Sequence, residues 1–116
     1  HSPLIASAAD RLRPALEAWD PAPSDPPFLS TTTCAIEPPE RMREVLLDQL
    51  TSPVRFGDGV EAAVARGAER FVELGPGRVL SGLVRRVRRD LPVSQVGEPG
   101  DLVGLQEILS VAQGAD

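Results

Sequence analysis

The 116-residue sequence has few of the side chains on which catalytic and metal sites are usually built. It contains a single histidine, His1, and a single cysteine, Cys34. It therefore offers no internal disulfide and no cluster of residues with metal-ligand spacing. A lone cysteine is typical of a reducing compartment, so we expect a cytoplasmic protein that holds no metal ion and no permanently bound cofactor.

Long apolar runs and an excess of basic charge are also missing. No stretch approaches the length of a membrane span, and the formal net charge is −5, with all 12 basic residues being arginine. Hydrophobic residues make up 41% of the chain and charged residues 25%, which is ordinary for a globular domain and unlike a disordered one. These features predict a globular protein with no membrane and no nucleic acid among its partners.

What the sequence does contain is a continuous strand, glycine turn and helix between residues 69 and 89. Residues 70–74 form a short apolar run that predicts a strand, and the glycines of residues 75–77 interrupt it. The helix that follows has an apolar stripe at spacings of one, three and four, formed by Val79, Leu80, Leu83, Val84 and Val87. This pattern is typical of one βα unit in an α/β sheet.

A glycine loop between strand and helix raises the possibility of a phosphate site, because helix N-termini bind anions. The spacing argues against it. After Gly75 and Gly77 the next glycine is Gly82, and the chain has no lysine of the Walker type. We therefore interpret the loop as a tight turn that needs glycine dihedral angles.

The rest of the chain alternates helices with short strands, which indicates mostly parallel strands covered by helices. Three short strands are few for such a sheet, so we expect the chain to be part of a larger α/β unit. The predicted helices cover residues 3–19, with a kink or division at Pro14, then 38–50, 58–66 and 101–112, and the further strands cover residues 28–33 and 93–96.

From the residues alone, the catalytic hypotheses stay open. His1 could be a general base or an exposed chain terminus. The hydroxyl run of residues 30–33 could hold a nucleophile or simply reflect strand propensity.

Three sequence blocks, in order, resemble the malonyl-CoA:acyl-carrier-protein transacylases, and more distantly the acyltransferase domains of polyketide synthases. The blocks read HSPLIASAADRLRPAL, LLDQLTSPVRF and FVELGPGRVLSGLVRR. The resemblance implies that residues 1–116 are the C-terminal segment of the large, α/β-hydrolase-like acyltransferase subdomain. The serine elbow, the carboxylate-binding arginine and the ferredoxin-like subdomain of the family would then lie in a missing N-terminal part.

The resemblance also implies a mechanism. A serine takes the malonyl group from coenzyme A and passes it to the phosphopantetheine thiol of the acyl carrier protein. By the same resemblance, His1 is the general base and the backbone carbonyl of Gln49 orients its imidazole. The family acts in fatty-acid biosynthesis, and the chain alone is expected to be inactive.

Two alternatives remain beside this prediction. The chain could belong to a polyketide-synthase-type acyltransferase, since residues 30–33 read Ser-Thr-Thr-Thr where the stand-alone enzymes often have Ser-Asn-Val-Thr. It could also be an inactive module that only binds a carrier protein. The basic helix after the glycine turn carries Arg85, Arg86 and Arg89. It is a candidate docking site for the acidic carrier protein of the transacylase, or else a solvated polar face.

Overall fold

The structure is a computed structural model that describes residues 2–113. It divides into two compact units, His1–Ala63 and Val64–Asp116. The helices are α1 (Ala6–Ala18), α2 (Pro39–Asp48), α3 (Phe56–Ala65), α4 (Val79–Val87) and α5 (Leu102–Gln113), and the strands are β1 (Phe71–Leu74) and β2 (Val93–Val96). Single 3-10 turns, Pro3–Ile5 and Pro99–Asp101, precede α1 and α5.

The first unit begins with a capped helical segment. The Ser2 hydroxyl accepts a hydrogen bond from the Leu4 N–H at 3.3 Å, and Pro3 occupies the first helical position, where its missing N–H is harmless. Pro14 lies inside α1, yet the helix continues without interruption to Ala18. The expected division of this helix is therefore not found.

Helices α1 and α2 pack together around two buried side chains. Leu16 on α1 and Val45 on α2 are both buried, and Val45 is only 1% exposed. Arg43 strengthens the same contact, because its guanidinium donates from Nε to the Trp19 carbonyl at 2.8 Å and donates from Nη2 to the same oxygen. The end of α1 is thus fixed to the middle of α2.

The strand predicted at residues 28–33 is wrong. Only an isolated bridge, Leu29 to Ile36, forms there, and the residues between them make a turn. The Ser30 hydroxyl accepts from the Thr32 N–H at 3.1 Å, and the Thr33 hydroxyl accepts from the Ala35 N–H at 3.3 Å. Short hydroxyl side chains that bond to nearby backbone in this way compete with strand pairing, which is why β propensity misled here.

The second unit carries the sheet. Strands β1 and β2 are parallel, with Phe71 opposite Val93 and Leu74 opposite Val96. Parallel neighbours need a crossover connection, and α4 provides it while packing on both strands. The predicted α/β class with short parallel strands covered by helices is confirmed, although the described residues form two named strands rather than three.

Candidate active site and basic helix

The described backbone joins the residues that follow the two predicted catalytic residues in sequence. His1 itself lies outside the described residues. The next residue, Ser2, donates its backbone N–H to the Leu50 carbonyl at 3.0 Å. Leu50 follows Gln49 directly, so the residue after His1 is hydrogen-bonded to the residue after Gln49.

Gln49 lies at the C-terminal end of α2, where helical carbonyls lose their intrahelical donors. Its backbone N–H still bonds the Val45 carbonyl at 3.0 Å, so the residue is held on the last turn. The chain then tightens into a turn, with Leu50 N–H on the Leu47 carbonyl at 3.2 Å and Ser52 N–H on the Asp48 carbonyl at 3.0 Å. A carbonyl of this terminal turn is suited to accept a donor from outside the helix, as that of Leu50 does from Ser2.

Two of the hydroxyls considered as nucleophiles, those of Ser30 and Thr33, form local contacts. The Thr33 hydroxyl donates to the Glu37 carboxylate at 2.5 Å, and that buried carboxylate also pairs with Arg41 at 3.4 Å. Ser30 is buried with its oxygen on the Thr32 N–H. The carboxylate beside the Thr33 hydroxyl is already paired with Arg41, and the Ser30 oxygen is held by the loop backbone, so these contacts shape the loop.

Sequence reasoning missed a buried carboxylate at the start of α4. Strand β1 was treated as uniformly apolar, but Glu73 is buried while Val72 and Leu74 are exposed. Glu73 accepts from the Ser81 hydroxyl at 2.5 Å, the Ser81 N–H at 2.8 Å and the Leu80 N–H at 3.0 Å. An acid at an inward position of a strand, followed by a helix start, was the signal that could have identified it.

These contacts set the charge of Glu73. The Ser81 hydroxyl, followed by the backbone N–H groups of α4, lowers the pKa of the Glu73 carboxyl below its ordinary value, and burial opposes that shift only in part. The cluster also corrects the predicted apolar stripe of α4. Ser81 is buried, whereas Val79 is 72% exposed and Leu80 is exposed as well.

The glycine turn lies between Glu73 and the start of α4. Gly75 and Gly77 have φ values of +125° and +89°, which confirms that the turn needs glycine. The turn is fixed to β2, because Gly75 N–H bonds the Val96 carbonyl and the Gln95 side chain donates to the Gly75 carbonyl, both at 2.9 Å. Since Glu73 already occupies N–H groups at the start of α4, the helix end is filled by the protein's own anion, in agreement with the rejection of a phosphate site.

The five arginines between residues 78 and 89 fall into two groups. Arg85 donates to the Val93 carbonyl at 3.2 Å, and Arg88 pairs with Asp90 at 2.9 Å. The Arg88 guanidinium lowers the pKa of the Asp90 carboxyl to about 2, so the pair is charged at neutral pH. The exposed guanidinium groups that form no ion pair or hydrogen bond with the described residues are those of Arg78, Arg86 and Arg89.

Both the sequence and the structure of this chain are similar to those of malonyl-CoA:acyl-carrier-protein transacylases. The sequence is 39% identical over 100 residues to the malonyl CoA-acyl carrier protein transacylase of Bacillus subtilis, covering 85% of this chain and 32% of that protein. The chain is a homologue of the malonyl-CoA:acyl-carrier-protein transacylases. The Staphylococcus aureus transacylase (strain COL) is 35% identical over 68 residues, 59% of this chain and 22% of that protein. No family model matches the sequence.

Solved transacylase structures have the same fold. The acyl-carrier-protein S-malonyltransferase of Bartonella henselae superposes with a TM-score of 0.88 at 30% identity, covering 95% of this chain and 35% of that one. A type II PKS acyl-carrier protein in complex with its malonyl-transacylase matches with a TM-score of 0.81 at 34% identity, over 89% of this chain and 34% of that one. The chain thus spans about a third of the length of the transacylases that it matches.

Two further features concern the described residues only. Residues 2–113 contain no group of three or more His, Cys, Asp or Glu side chains placed to hold a metal ion. Over the same range, every helix is too short or too polar to cross a membrane.

Proposed function

We propose that residues 1–116 form the C-terminal third of a malonyl-CoA:acyl-carrier-protein transacylase of fatty-acid biosynthesis. In this proposal His1 is the general base and the Gln49 backbone carbonyl orients its imidazole. The observation that carries it is the 3.0 Å hydrogen bond from Ser2 N–H to the Leu50 carbonyl. Ser2 and Leu50 directly follow the two proposed residues, and consecutive Cα atoms are about 3.8 Å apart, which supports the pairing of His1 with the Gln49 carbonyl.

The chemistry follows from that pairing. A serine in the part of the enzyme outside this chain attacks the thioester carbonyl of malonyl-CoA while the His1 imidazole takes its proton. The C–S bond breaks, the coenzyme A thiolate leaves with that proton, and a malonyl ester remains on the serine. In the second half-reaction the phosphopantetheine thiol attacks the ester, gives its proton to His1, and the serine oxygen leaves and recovers it.

The test compares His1→Ala with Gln49→Ala in the full-length protein. We expect His1→Ala to slow acylation by labelled malonyl-CoA on the order of 10²-fold or more, the usual contribution of a general base. Gln49→Ala keeps the backbone carbonyl, so its effect should be small. A loss in Gln49→Ala comparable to that in His1→Ala would mean that the side chain is required and would contradict the proposed role.

The two alternative functions, a polyketide-synthase-type acyltransferase and an inactive binding module, predict different reactions of the full-length protein with malonyl-CoA and with carrier proteins. A polyketide-synthase-type enzyme would be acylated by malonyl-CoA but would prefer a polyketide carrier protein to that of fatty-acid synthesis as acceptor. An inactive module would bind a carrier protein and form no acyl-enzyme. Mass spectrometry of the protein after incubation with malonyl-CoA, followed by addition of each carrier protein, separates all three.

We further propose that α4 and the turn after it dock the carrier protein through the docking surface formed by Arg85 and Arg86 on the helix and Arg89 on the turn. Arg86 and Arg89 are exposed and have no anionic partner among the described residues, although the chain as a whole is acidic. Arg85 contributes less free charge, because it also donates to Val93. Carrier proteins of the family are acidic, and arginine binds carboxylates in a two-pronged geometry.

The double variant Arg86→Glu/Arg89→Glu tests this docking surface in the full-length protein. It should raise KM for the carrier protein, reduce the salt dependence of that half-reaction and leave acylation by malonyl-CoA unchanged. Arg11→Glu/Arg13→Glu on α1 is the control, since it changes the net charge equally. Equal effects from both pairs would mean that net charge, not this helix, governs the reaction.

A further inference from the structure

Gly82 is an interior glycine of α4 that the described structure does not require. It is exposed, its φ is not in the left-handed region, and a Cβ at this position would meet no atom within 4 Å. Gly59 on α3 is different, because its Cβ would touch Thr31 Cγ2 at 3.4 Å. Gly75 and Gly77 are also explained, by their positive φ values. Neither packing nor backbone conformation therefore accounts for Gly82.

A glycine at such a position weakens its own helix. The helical interior favours alanine over glycine, because glycine loses more backbone freedom on folding. At Gly82, alanine would fit without displacing any described atom. The missing side chain has a use where another part of the enzyme or another molecule approaches the backbone of α4.

The surroundings of Gly82 indicate the charge of that molecule. Residues three and four positions apart are neighbours on a helix surface, so Arg78 lies one turn before Gly82, and Arg85 and Arg86 lie one turn after it. All three arginines are exposed. Val79, which is 72% exposed, also lies one turn before Gly82, so the glycine leaves a gap on the helix surface between exposed guanidinium groups and an exposed valine.

We propose that Gly82 is the close-contact point at which an acidic helix of the carrier protein packs on α4, with Arg78 and Arg86 binding carboxylates on either side of it. This inference rests on the proposed carrier-protein docking and adds a contact residue to it. Helix axes approach most closely where the facing residue is small, and a close approach also shortens the distance between the arginines and their anionic partners. The same geometry would not form around a bulky residue.

The experiment is a size series, Gly82→Ala and Gly82→Leu, in the full-length protein, with both half-reactions measured. We expect KM for the holo carrier protein to rise with side-chain size, by at least about fivefold for leucine, the effect of overpacking one contact. Acylation by malonyl-CoA should be unchanged. The thermal midpoint of Gly82→Ala should equal or exceed that of the parent protein, so stability and carrier binding move in opposite directions.

Gly104 supplies the matched control. It lies in α5, is exposed, and a Cβ there would also meet no atom within 4 Å. Gly104→Ala and Gly104→Leu should leave KM for the carrier protein unchanged, because α5 has no arginine beside this glycine. A rise in KM from the Gly104 series equal to that from the Gly82 series would overturn the inference.

The remaining outcomes separate this inference from the docking on which it rests. If Arg86→Glu/Arg89→Glu raises KM for the carrier protein but the Gly82 series does not, docking on α4 stands and the contact at Gly82 is refuted. If neither has an effect, the docking proposal itself fails. If the Gly82 series damages both half-reactions equally, Gly82 packs against the rest of the enzyme instead of the carrier protein, and the inference is wrong.

Discussion

Replacing Val45 with alanine should destabilise the first unit more than any surface change in it. Val45 is 1% exposed and lies where α2 packs on α1. The substitution removes two methyl groups, worth about 0.8 kcal/mol each in transfer free energy, and leaves a cavity that adds roughly another 0.5–1 kcal/mol. The free energy of unfolding should therefore fall by about 2–3 kcal/mol, a large fraction of the total for a small domain.

The assay is urea unfolding of the 116-residue chain followed by the fluorescence of Trp19. This is the only tryptophan of the chain, and it lies at the end of α1, with its carbonyl held by Arg43. Its signal therefore reports on the unit that contains Val45. The urea midpoint should move down with little change in the slope of free energy against urea concentration.

Val54→Ala is the matched control, because Val54 belongs to the same unit and is 47% exposed. Its effect should stay within about 0.5 kcal/mol, as is usual for surface substitutions. Equal losses for the two valines, or a loss below about 0.5 kcal/mol for Val45→Ala, would refute the assignment of Val45 to the core between α1 and α2.

Two further predictions concern the second unit and the chain as a whole. Since the folded pKa of Glu73 lies below its ordinary value of 4.5, ionised Glu73 stabilises the fold above that pH, and the contribution disappears as pH falls through the folded pKa. Glu73→Gln should thus be less stable than the parent chain at pH 7, and the difference in stability should shrink in acid unfolding curves below about pH 4.5. A difference in stability that is constant with pH would contradict the claim that Glu73 is ionised in the folded chain. The 116-residue chain alone should transfer no malonyl group to carrier protein, and a labelled acyl adduct on any of its serines or threonines would disprove this.

Local features of the fold were predictable because they depend on neighbours in sequence. Residues 93–96 form β2 within the predicted bounds, and the glycine turn has the positive φ angles expected of it. Gly67, with φ of +95°, ends α3 as a C-terminal glycine should, although that helix begins at Phe56 rather than at Asp58. Capping residues, glycines and apolar spacing act over a few residues, so the chain itself reveals them.

The failures occurred where a residue's partner is distant in sequence or its side chain competes with the backbone. Residues 28–33 have strand propensity, but their hydroxyls bond within the loop, and the Thr31 carbonyl accepts from the Arg55 N–H at 2.9 Å. Glu73 was included in an apolar strand, and only the fold showed Ser81 and Leu80 around its carboxylate. An inward acid before a helix start is visible in the sequence, but the identity of its donors, seven and eight residues later, is not.

The sequence by itself determined the α/β class, the approximate extents of the helices, the glycine turn and, through its three ordered blocks, the relationship to the transacylases. Only the tertiary structure decided which arginine side chains form ion pairs or hydrogen bonds within the chain and which do not. Five arginines look equivalent along the basic segment, yet Arg88 is paired with Asp90 and Arg85 bonds the Val93 carbonyl. Arg78, Arg86 and Arg89 form no ion pair or hydrogen bond with the described residues. The fold likewise brought Ser2 onto Leu50, because the hydrogen bond joins groups 48 residues apart in sequence whose meeting depends on how α1 packs on α2.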